Sequence, residues 1–339
     1  MQPIELFYPQ LKHPKKVVIT THQKPDADAM GSSLGLMHVL AQLGHTVSVI
    51  SPTNWAGFLN WMPGCKHVID YESKIVEANK LIESADWIFC LDFNVLLRTR
   101  KMEEPIRNAG GIKILIDHHQ EPQITAFTYG ISDTKKSSTA EMVFDFIQNS
   151  GNGALINNDC AQCLYAGVMT DTGSFRFPST TASVHRMVAS LLENGLEHSK
   201  VHENLYDNFS ESRFRFIGHV LLNRLEVYYE YNTAVIVVPQ ADLIKYGIKT
   251  GDTEGMVNYP LSISGIKLAV IIIDRGEERK LSFRSKGDFD VNAFARKYFN
   301  GGGHFNAAGG SSKDPFDEVV KNFVIAMKEN KDKLSSYQF

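Results

Sequence analysis

"KKVVITTHQKPDADAMGSSLG" (residues 15–35) joins an apolar, β-branched run to a segment of small and apolar residues through a loop that holds His22, Asp26 and Asp28. The run 15–20 reads as a strand. "GSSLGLMHVLAQLG" (31–44) reads as a helix, with apolar residues at helical spacing and Gly44 as its stop. Two carboxylates and an imidazole within seven residues at a strand end admit two accounts. The loop is a solvated turn in which Asp26 or Asp28 caps the helix, or it is built to receive something positive. Lys24 is the only cation inside it.

The strand–helix grammar continues outward. "TVSVI" (46–50), "DWIFCLD" (86–92) and "IKILID" (112–117) read as strands, and "SKIVEANKLIESA" between the first two of these reads as an amphipathic helix. "SSTAEMVFDFIQNSG" opens with the capping-box pattern Ser138-x-x-Glu141, placing a helix start near 138. Two more helices follow in "ALINNDCAQCLYAGVMTD" and "TASVHRMVASLLENG". This alternation predicts an α/β fold with a doubly wound, mostly parallel sheet. Beyond about residue 190 the pattern changes. "LEVYYEYNTAVIVVP" and "IKLAVIIIDRGEERKLSFRS" read as hairpins turning at 231–233 and around Gly276, hence a smaller α+β domain with an antiparallel or mixed sheet. The expected division is 1–190 for the first domain, 191–223 for a helical linker and 224–339 for the second domain.

Composition narrows the function classes. A formal charge of −3 over 339 residues offers no global basic field for long nucleic acid. The strongest apolar run, "LAVIII" (268–273), is far short of the roughly 20 residues of a membrane span. The first residues lack the apolar core of a secretory signal, so the cytoplasm is the expected compartment. Four cysteines suggest no disulfide framework, and the Cys160–Cys163 pair reads as two small core residues on one helix face.

In an open parallel sheet, ligands bind beyond the carboxyl ends of the strands. By that rule His22, Asp26 and Asp28 share a rim with Asp92, which ends "DWIFCLD", and with Asp117, His118 and His119, which end "IKILIDHH". Asp171 and Thr172 join them in a loop after "AQCLYAGVMTD". Two carboxylates about 4 Å apart repel by about 4 kcal/mol at an effective dielectric of 20. A cluster of four therefore needs cationic partners, and few lysines or arginines occur nearby. Two divalent metal ions would balance Asp26, Asp28, Asp92 and Asp171. Mixed Asp and His donors without thiolate favour Mn²⁺, ahead of Mg²⁺ or Co²⁺. Such a pair can activate water and clamp a phosphate during in-line attack.

"HQKPDADAMGSSLG", the aspartate of "CLDF", "DHH" and "GVMTDTGSFRF" stand in the order of the four motifs of DHH phosphoesterases, and "GGGHFNAAGG" (301–310) resembles the DHHA1 signature. In length and motif style the chain is similar to the nanoRNase/pAp-phosphatase branch, the bifunctional oligoribonuclease and PAP phosphatases. The resemblance implies that His22 and Asp26 bind one metal, that Asp28, His118 and Asp171 bind the other, and that Asp92 bridges them. It further implies that His119 faces the substrate phosphate and that Asp117 orients the neighbouring histidines. Ala27 departs from the family, which usually has glycine there. The glycines Gly302 and Gly303 could bring backbone N–H groups to an anion, while His304 and Arg284 of "LSFRS" are implied to grip the phosphate or nucleotide end that is not cleaved. Arg176 is a weaker candidate.

The expected activity is metal-dependent hydrolysis of short RNA oligonucleotides to 5′-mononucleotides and of 3′-phosphoadenosine 5′-phosphate (pAp) to AMP. Other small phosphorylated nucleotides are the alternative partners, including linear or cyclic dinucleotides. Inorganic pyrophosphatase and RecJ-like exonuclease readings are weaker, because the serine–arginine–lysine run of the one and the extra nucleic-acid-binding domain of the other are missing. A nucleotide sensor with an inactive site is the reading from a different class. No membrane and no long nucleic acid are expected as partners, and the oligomeric state is open, with a homodimer among the options.

Overall fold

The computed structural model describes residues 1–249 and 251–335. The chain folds into two compact units, Met1–Asn208 and a second from Phe209 onward.

The first unit is built on seven strands: β1 (Gln2–Pro3), β2 (Lys16–Thr20), β3 (Thr46–Ser51), β4 (Ile69–Asp70), β5 (Trp87–Leu91), β6 (Ile112–Asp117) and β7 (Tyr129–Ser132). Their order across the sheet is β1-β7-β6-β5-β2-β3-β4, and every pairing is parallel. After β2 the chain winds one way to β3 and β4, then crosses back to β5 and winds the other way. The strand order therefore reverses between β2 and β5, where such sheets open a crevice at their carboxyl ends.

Both faces of this sheet are covered, so its strands are apolar throughout rather than alternating. Trp87, Phe89 and Leu91 of β5 turn to one core, and Ile88 and Cys90 to the other. The first core lies under α1 (Ala27–Gln42), α4 (Thr139–Asn149) and α5 (Asn158–Asp171), the second under α2 (Ile75–Ser84) and α3 (Glu103–Asn108). A 3₁₀ segment, Ile4–Lys12, plugs the first core with Phe7, whose ring meets Trp87 and Phe89 edge-on. This segment and the short strands β1, β4 and β7 have no periodicity long enough to announce them in the sequence. Two further helices close the unit, α6 (Ala182–Glu193) and α7 (His198–Tyr206).

Segment 191–223 gives the end of α6 and all of α7 to the first unit and α8 (Glu211–Asn223) to the second. The stretch read as one helical connection breaks because Ser210 accepts a hydrogen bond from the Arg213 amide and caps a new helix.

The second unit carries a six-stranded sheet: β8 (Leu225–Tyr228), β9 (Thr233–Val238), β10 (Leu268–Asp274), β11 (Arg279–Ser285), β12 (Gly302–His304) and β13 (Ala307–Ser312). The order is β12-β13-β11-β10-β9-β8. Both expected hairpins form, turning at Asn232 (φ 44°) and Gly276 (φ 87°). They join through a parallel β9–β10 pair, so the sheet is mixed. Helices α9 (Gln240–Tyr246) and α10 (Asn258–Leu261) lie with α8 on one side, and α11 (Val291–Tyr298), α12 (Phe316–Glu329) and α13 (Lys331–Ser335) on the other.

What brings the functional segments of the first unit together is a close crossing of α1 and α5. A Cβ at Gly31 would overlap the Cys163 carbonyl oxygen, and one at Gly35 would stand 2.6 Å from Leu164. At Gly167 it would stand 2.7 Å from the Ala140 side chain and 2.8 Å from a carboxylate oxygen of Asp28. Cys160 and Cys163 belong to this crossing as buried core residues, the Cys160 thiol donating to the Gly35 carbonyl. Forcing a methyl group into it should cost about 1–3 kcal/mol through overpacking. Gly31→Ala should lower the unfolding temperature of the first unit by several degrees in a calorimetric scan. An unchanged transition would show that the crossing relaxes freely.

Candidate metal centre

The loop after β2 is fixed before any ligand is considered. The Gln23 amide donates to the Arg98 carbonyl at 2.9 Å and the Lys24 amide to Thr53 Oγ1 at 2.7 Å. Asp26 caps α1, its Oδ1 accepting from the amides of Asp28 and Ala29 at 3.1 Å each. Capping thus occupies one oxygen of Asp26 and leaves the other. Ala27 is the first residue of α1 and its φ is not positive, so its methyl group sits in ordinary helical backbone.

Asp28 is fully buried, and both of its oxygens are held by the first turn of α4. The Thr139 amide donates to Oδ2 at 2.7 Å and the Ala140 amide to Oδ1 at 2.8 Å. That turn is itself anchored. Ser138 accepts from the Glu141 amide, and buried Glu141 accepts from the Ser137 amide and hydroxyl and from Lys136. The capping box was legible as a helix start. That the start aims two amides at a residue 111 and 112 positions earlier was not.

Asp92 follows β5 with φ 65°, a left-handed backbone that is uncommon outside glycine and that concentrates at functional sites. Its Oδ2 lies 3.3 Å from His22 Nε2, and its Oδ1 lies 3.4 Å from His118 Nε2 and 3.7 Å from His119 Nδ1. The Thr139 hydroxyl donates to the same Oδ1 at 3.0 Å, a contact between residues 47 positions apart that the sequence did not reveal. His118 Nε2 also faces Asp171 Oδ2 at 3.4 Å and Asp28 Oδ2 at 3.8 Å. Asp171, expected in a loop, is the last residue of α5, which carries it to the rim. Asp117 is fully buried and accepts from the His119 amide at 3.2 Å and from His119 Nδ1 at 2.7 Å, so the His119 Nε2 edge points away from it.

The structure therefore gathers His22, Asp26, Asp28, Asp92, Asp117, His118, His119 and Asp171 at the reversal between β2 and β5. Donor atoms of His22, Asp26 and Asp92 lie within 4.8 Å of one another, as do those of Asp28, Asp92 and His118 and those of Asp92, Asp117 and His119. Asp92 belongs to all three groups.

These residues fit divalent ions. At metal–oxygen bonds of about 2.1 Å, neighbouring donors around an octahedral ion stand about 3 Å apart, close to the 3.3–3.4 Å separations around Asp92 and His118. Both histidines also have the orientation of ligands. His22 Nδ1 is held by the Gln23 carbonyl at 2.8 Å and His118 Nδ1 faces the Lys136 carbonyl at 3.4 Å, which turns each Nε2 to the carboxylates.

The side chains of the cluster perturb one another's ionisation. Burial, with Asp92 and Asp171 adding repulsion, raises the Asp28 carboxyl well above the usual range. Burial also opposes ionisation of Asp92, but hydrogen bonds from His118 and His22 outweigh it and hold that carboxyl well below its usual range. His118, which burial alone would lower, is lifted to about 10 by Asp92, Asp171 and Asp28. A proton on His118 thus offsets part of the negative charge.

The other predicted binding residues lie in the second unit. Arg284 of β11 and His304 of β12 each pair in register with Ala307 of the intervening β13, so all three project to one face. The glycine-rich stretch also has a packing role. A Cβ at Gly301 or Gly303 would overlap the backbone of β13, so these two residues are required for strand packing. Gly302 has only ordinary contacts, with the side chains of Asn292 and Arg296.

Residues 16–168 match the DHH family N-terminal domain and residues 231–331 the DHHA1 domain. The bifunctional oligoribonuclease and PAP phosphatase NrnA of Thermus thermophilus is 30% identical over 319 residues, 92% of this chain and 89% of that protein. The protein of the same name from Bacillus subtilis is 27% identical over 321 residues, 93% of this chain and 95% of that one. The crystal structure of an exopolyphosphatase-related protein from Bacteroides fragilis superposes with a TM-score of 0.93 at 39% identity, covering 98% and 97% of the two chains. The chain belongs to the DHH/DHHA1 phosphoesterase family and is a hydrolase of phosphoester bonds.

Proposed function

We propose that the protein hydrolyses short RNA oligonucleotides to 5′-mononucleotides and pAp to AMP, using two divalent ions, Mn²⁺ in preference to Mg²⁺ or Co²⁺. The observation that carries the chemistry is Asp92, whose two oxygens face His22 on one side and His118 on the other. The substrate choice is supported by similarity along nearly the whole chain to two proteins named for both activities. No described helix is long and apolar enough to cross a membrane.

In this reading His22 and Asp26 would hold one ion and Asp28, His118 and Asp171 the other, with Asp92 contributing to both. Ions bound there lower the pKa of water and neutralise charge on phosphoryl oxygens. The chain's own groups do the rest. Asp117 fixes the His119 ring by Nδ1, so that in the doubly protonated ring the Nε2–H can donate to a phosphoryl oxygen or give its proton to the leaving oxygen as the P–O bond breaks. Amides of α4 keep the Asp28 carboxylate in one orientation, and the Thr139 hydroxyl does the same for Asp92. Arg284 and His304 bind the phosphate that is not cleaved, arginine through its planar fork.

The direct test offers a 5′-labelled RNA dinucleotide, pAp, a cyclic dinucleotide and pyrophosphate side by side with Mn²⁺. Mononucleotide from the RNA together with AMP from pAp is the expected outcome. Cleavage of the cyclic dinucleotide or pyrophosphate alone would overturn the substrate assignment.

Asp92→Asn keeps the side-chain volume and removes the shared charge. It should lower kcat at least about 10²–10³-fold and reduce Mn²⁺ bound per chain, read by electron paramagnetic resonance. Near-native turnover with full metal content would exclude the shared role of Asp92.

Metal and protons should compete. With His118 lifted to about 10, its ring is protonated at pH 7 and must lose that proton to bind a metal. Apparent Mn²⁺ affinity should therefore rise as pH increases from 6 to 9. Calorimetric enthalpies at pH 7 should differ between buffers of different ionisation enthalpy, by an amount equivalent to about one proton released per chain or more. Identical enthalpies in all buffers would contradict the competition.

A further inference from the structure

The turn of the β12–β13 hairpin consists of Phe305 and Asn306, set between the paired residues His304 and Ala307. Its backbone is pinned on every side. The Phe305 carbonyl accepts from the Val291 amide at 2.8 Å, and the Asn306 carbonyl from the Ser285 amide at 3.1 Å. The Asn306 side chain donates to Ser285 Oγ at 2.8 Å and to the Gly287 carbonyl at 3.2 Å. Such a turn has little freedom to rearrange.

Phe305 on this fixed turn is 41% exposed. Nearby aromatic residues behave differently: Phe283, Phe289, Phe294 and Phe299 are buried to 4% exposure or less and pack on one another. Among the described residues, that cluster does not include Phe305. A rigid turn thus presents an aromatic ring to solvent directly after His304, at the end of the sheet where Arg284 projects beside Ala307.

The chemistry of the neighbours selects the occupant. An imidazole and a guanidinium on one sheet face suit a phosphate, and a ring one residue further along suits the flat, weakly hydrated body joined to that phosphate. Base stacking on an aromatic residue beside a cationic phosphate grip is a general mode of binding single-stranded nucleotides. We propose that Phe305 is the base-stacking residue of the second unit, so that the chain selects phosphates carrying a nucleobase over bare sugar phosphates. The proposal rests on the nucleotide reading given above and adds to it a determinant of specificity.

The test compares binding of AMP and of ribose 5-phosphate, which differ only by the base, to the full chain with Mn²⁺ by titration calorimetry. Wild-type protein should bind AMP more tightly than ribose 5-phosphate. Phe305→Ala should weaken AMP binding about 5- to 100-fold, the range set by loss of one base–aromatic stack, and leave ribose 5-phosphate unchanged. Phe305→Trp should restore AMP binding. For pAp hydrolysis the alanine variant should raise KM and leave kcat close to wild type.

A wild type that binds AMP and ribose 5-phosphate alike overturns the stacking proposal, as does an alanine variant that keeps full AMP affinity. If the wild type hydrolyses pAp in either case, the proposed activity stands and stacking alone is lost. An inactive wild type whose preference for AMP depends on Phe305 retains the stacking site and removes the catalytic reading.

Discussion

The grip of the α4 amides on Asp28 is the constraint from which the rest of the first unit's site follows. A carboxylate with no exposure to water must be hydrogen-bonded or neutralised. Here two backbone N–H groups at a helix start do the first, at 2.7 and 2.8 Å. The same contact locks three helices together, because Asp28 sits in α1, the amides belong to α4, and Gly167 of α5 must lack a side chain for the Asp28 carboxylate to fit. Packing and chemistry share their atoms at this point. The close helix crossing is what allows four chain segments to deliver carboxylates to one place.

Around that anchor the cluster is balanced electrostatically rather than merely crowded. Asp92 stays ionised because His22 and His118 face its two oxygens, and Asp28 is driven toward protonation by the same crowd. Each histidine is oriented by a backbone carbonyl and not by chance. The left-handed backbone at Asp92 fits this picture, since a costly conformation persists where surrounding contacts determine it. The carboxylates around His118 raise its affinity for a proton, as they would favour any positive group placed among them.

Much of this was legible in the sequence, and the exceptions share a cause. The strands β2, β3, β5 and β6, the major helices and the two hairpins follow from local periodicity and turn residues. Their carboxyl ends placed His22, Asp28, Asp92 and His118 on one rim. What could not be read depends on pairs far apart in the chain. Thr139 acquires its contact with Asp92 only through the tertiary fold, and Asp28 acquires its amides in the same way. The glycines of "GGGHFNAAGG" illustrate the converse. Local reasoning considered only backbone approach to a ligand; that a side chain at Gly301 or Gly303 would also overlap the backbone of β13 depends on strand pairing. Strands as short as β1 and β4 leave no periodic trace at all.

The distribution of sulfur has a practical consequence. All four cysteines, at positions 65, 90, 160 and 163, lie in the first unit, buried and unpaired with one another in disulfides. Burial pushes Cys65 up to about 11 and Cys90 and Cys160 up to about 12, and it also raises Cys163 well above the usual thiol range. Thiols so far from ionisation are poor nucleophiles, so a thiol-labelling reagent can reach them only when the surrounding core opens. The rate of labelling thus serves as a natural clock for breathing of the first unit, to which the cysteine-free second unit contributes no signal.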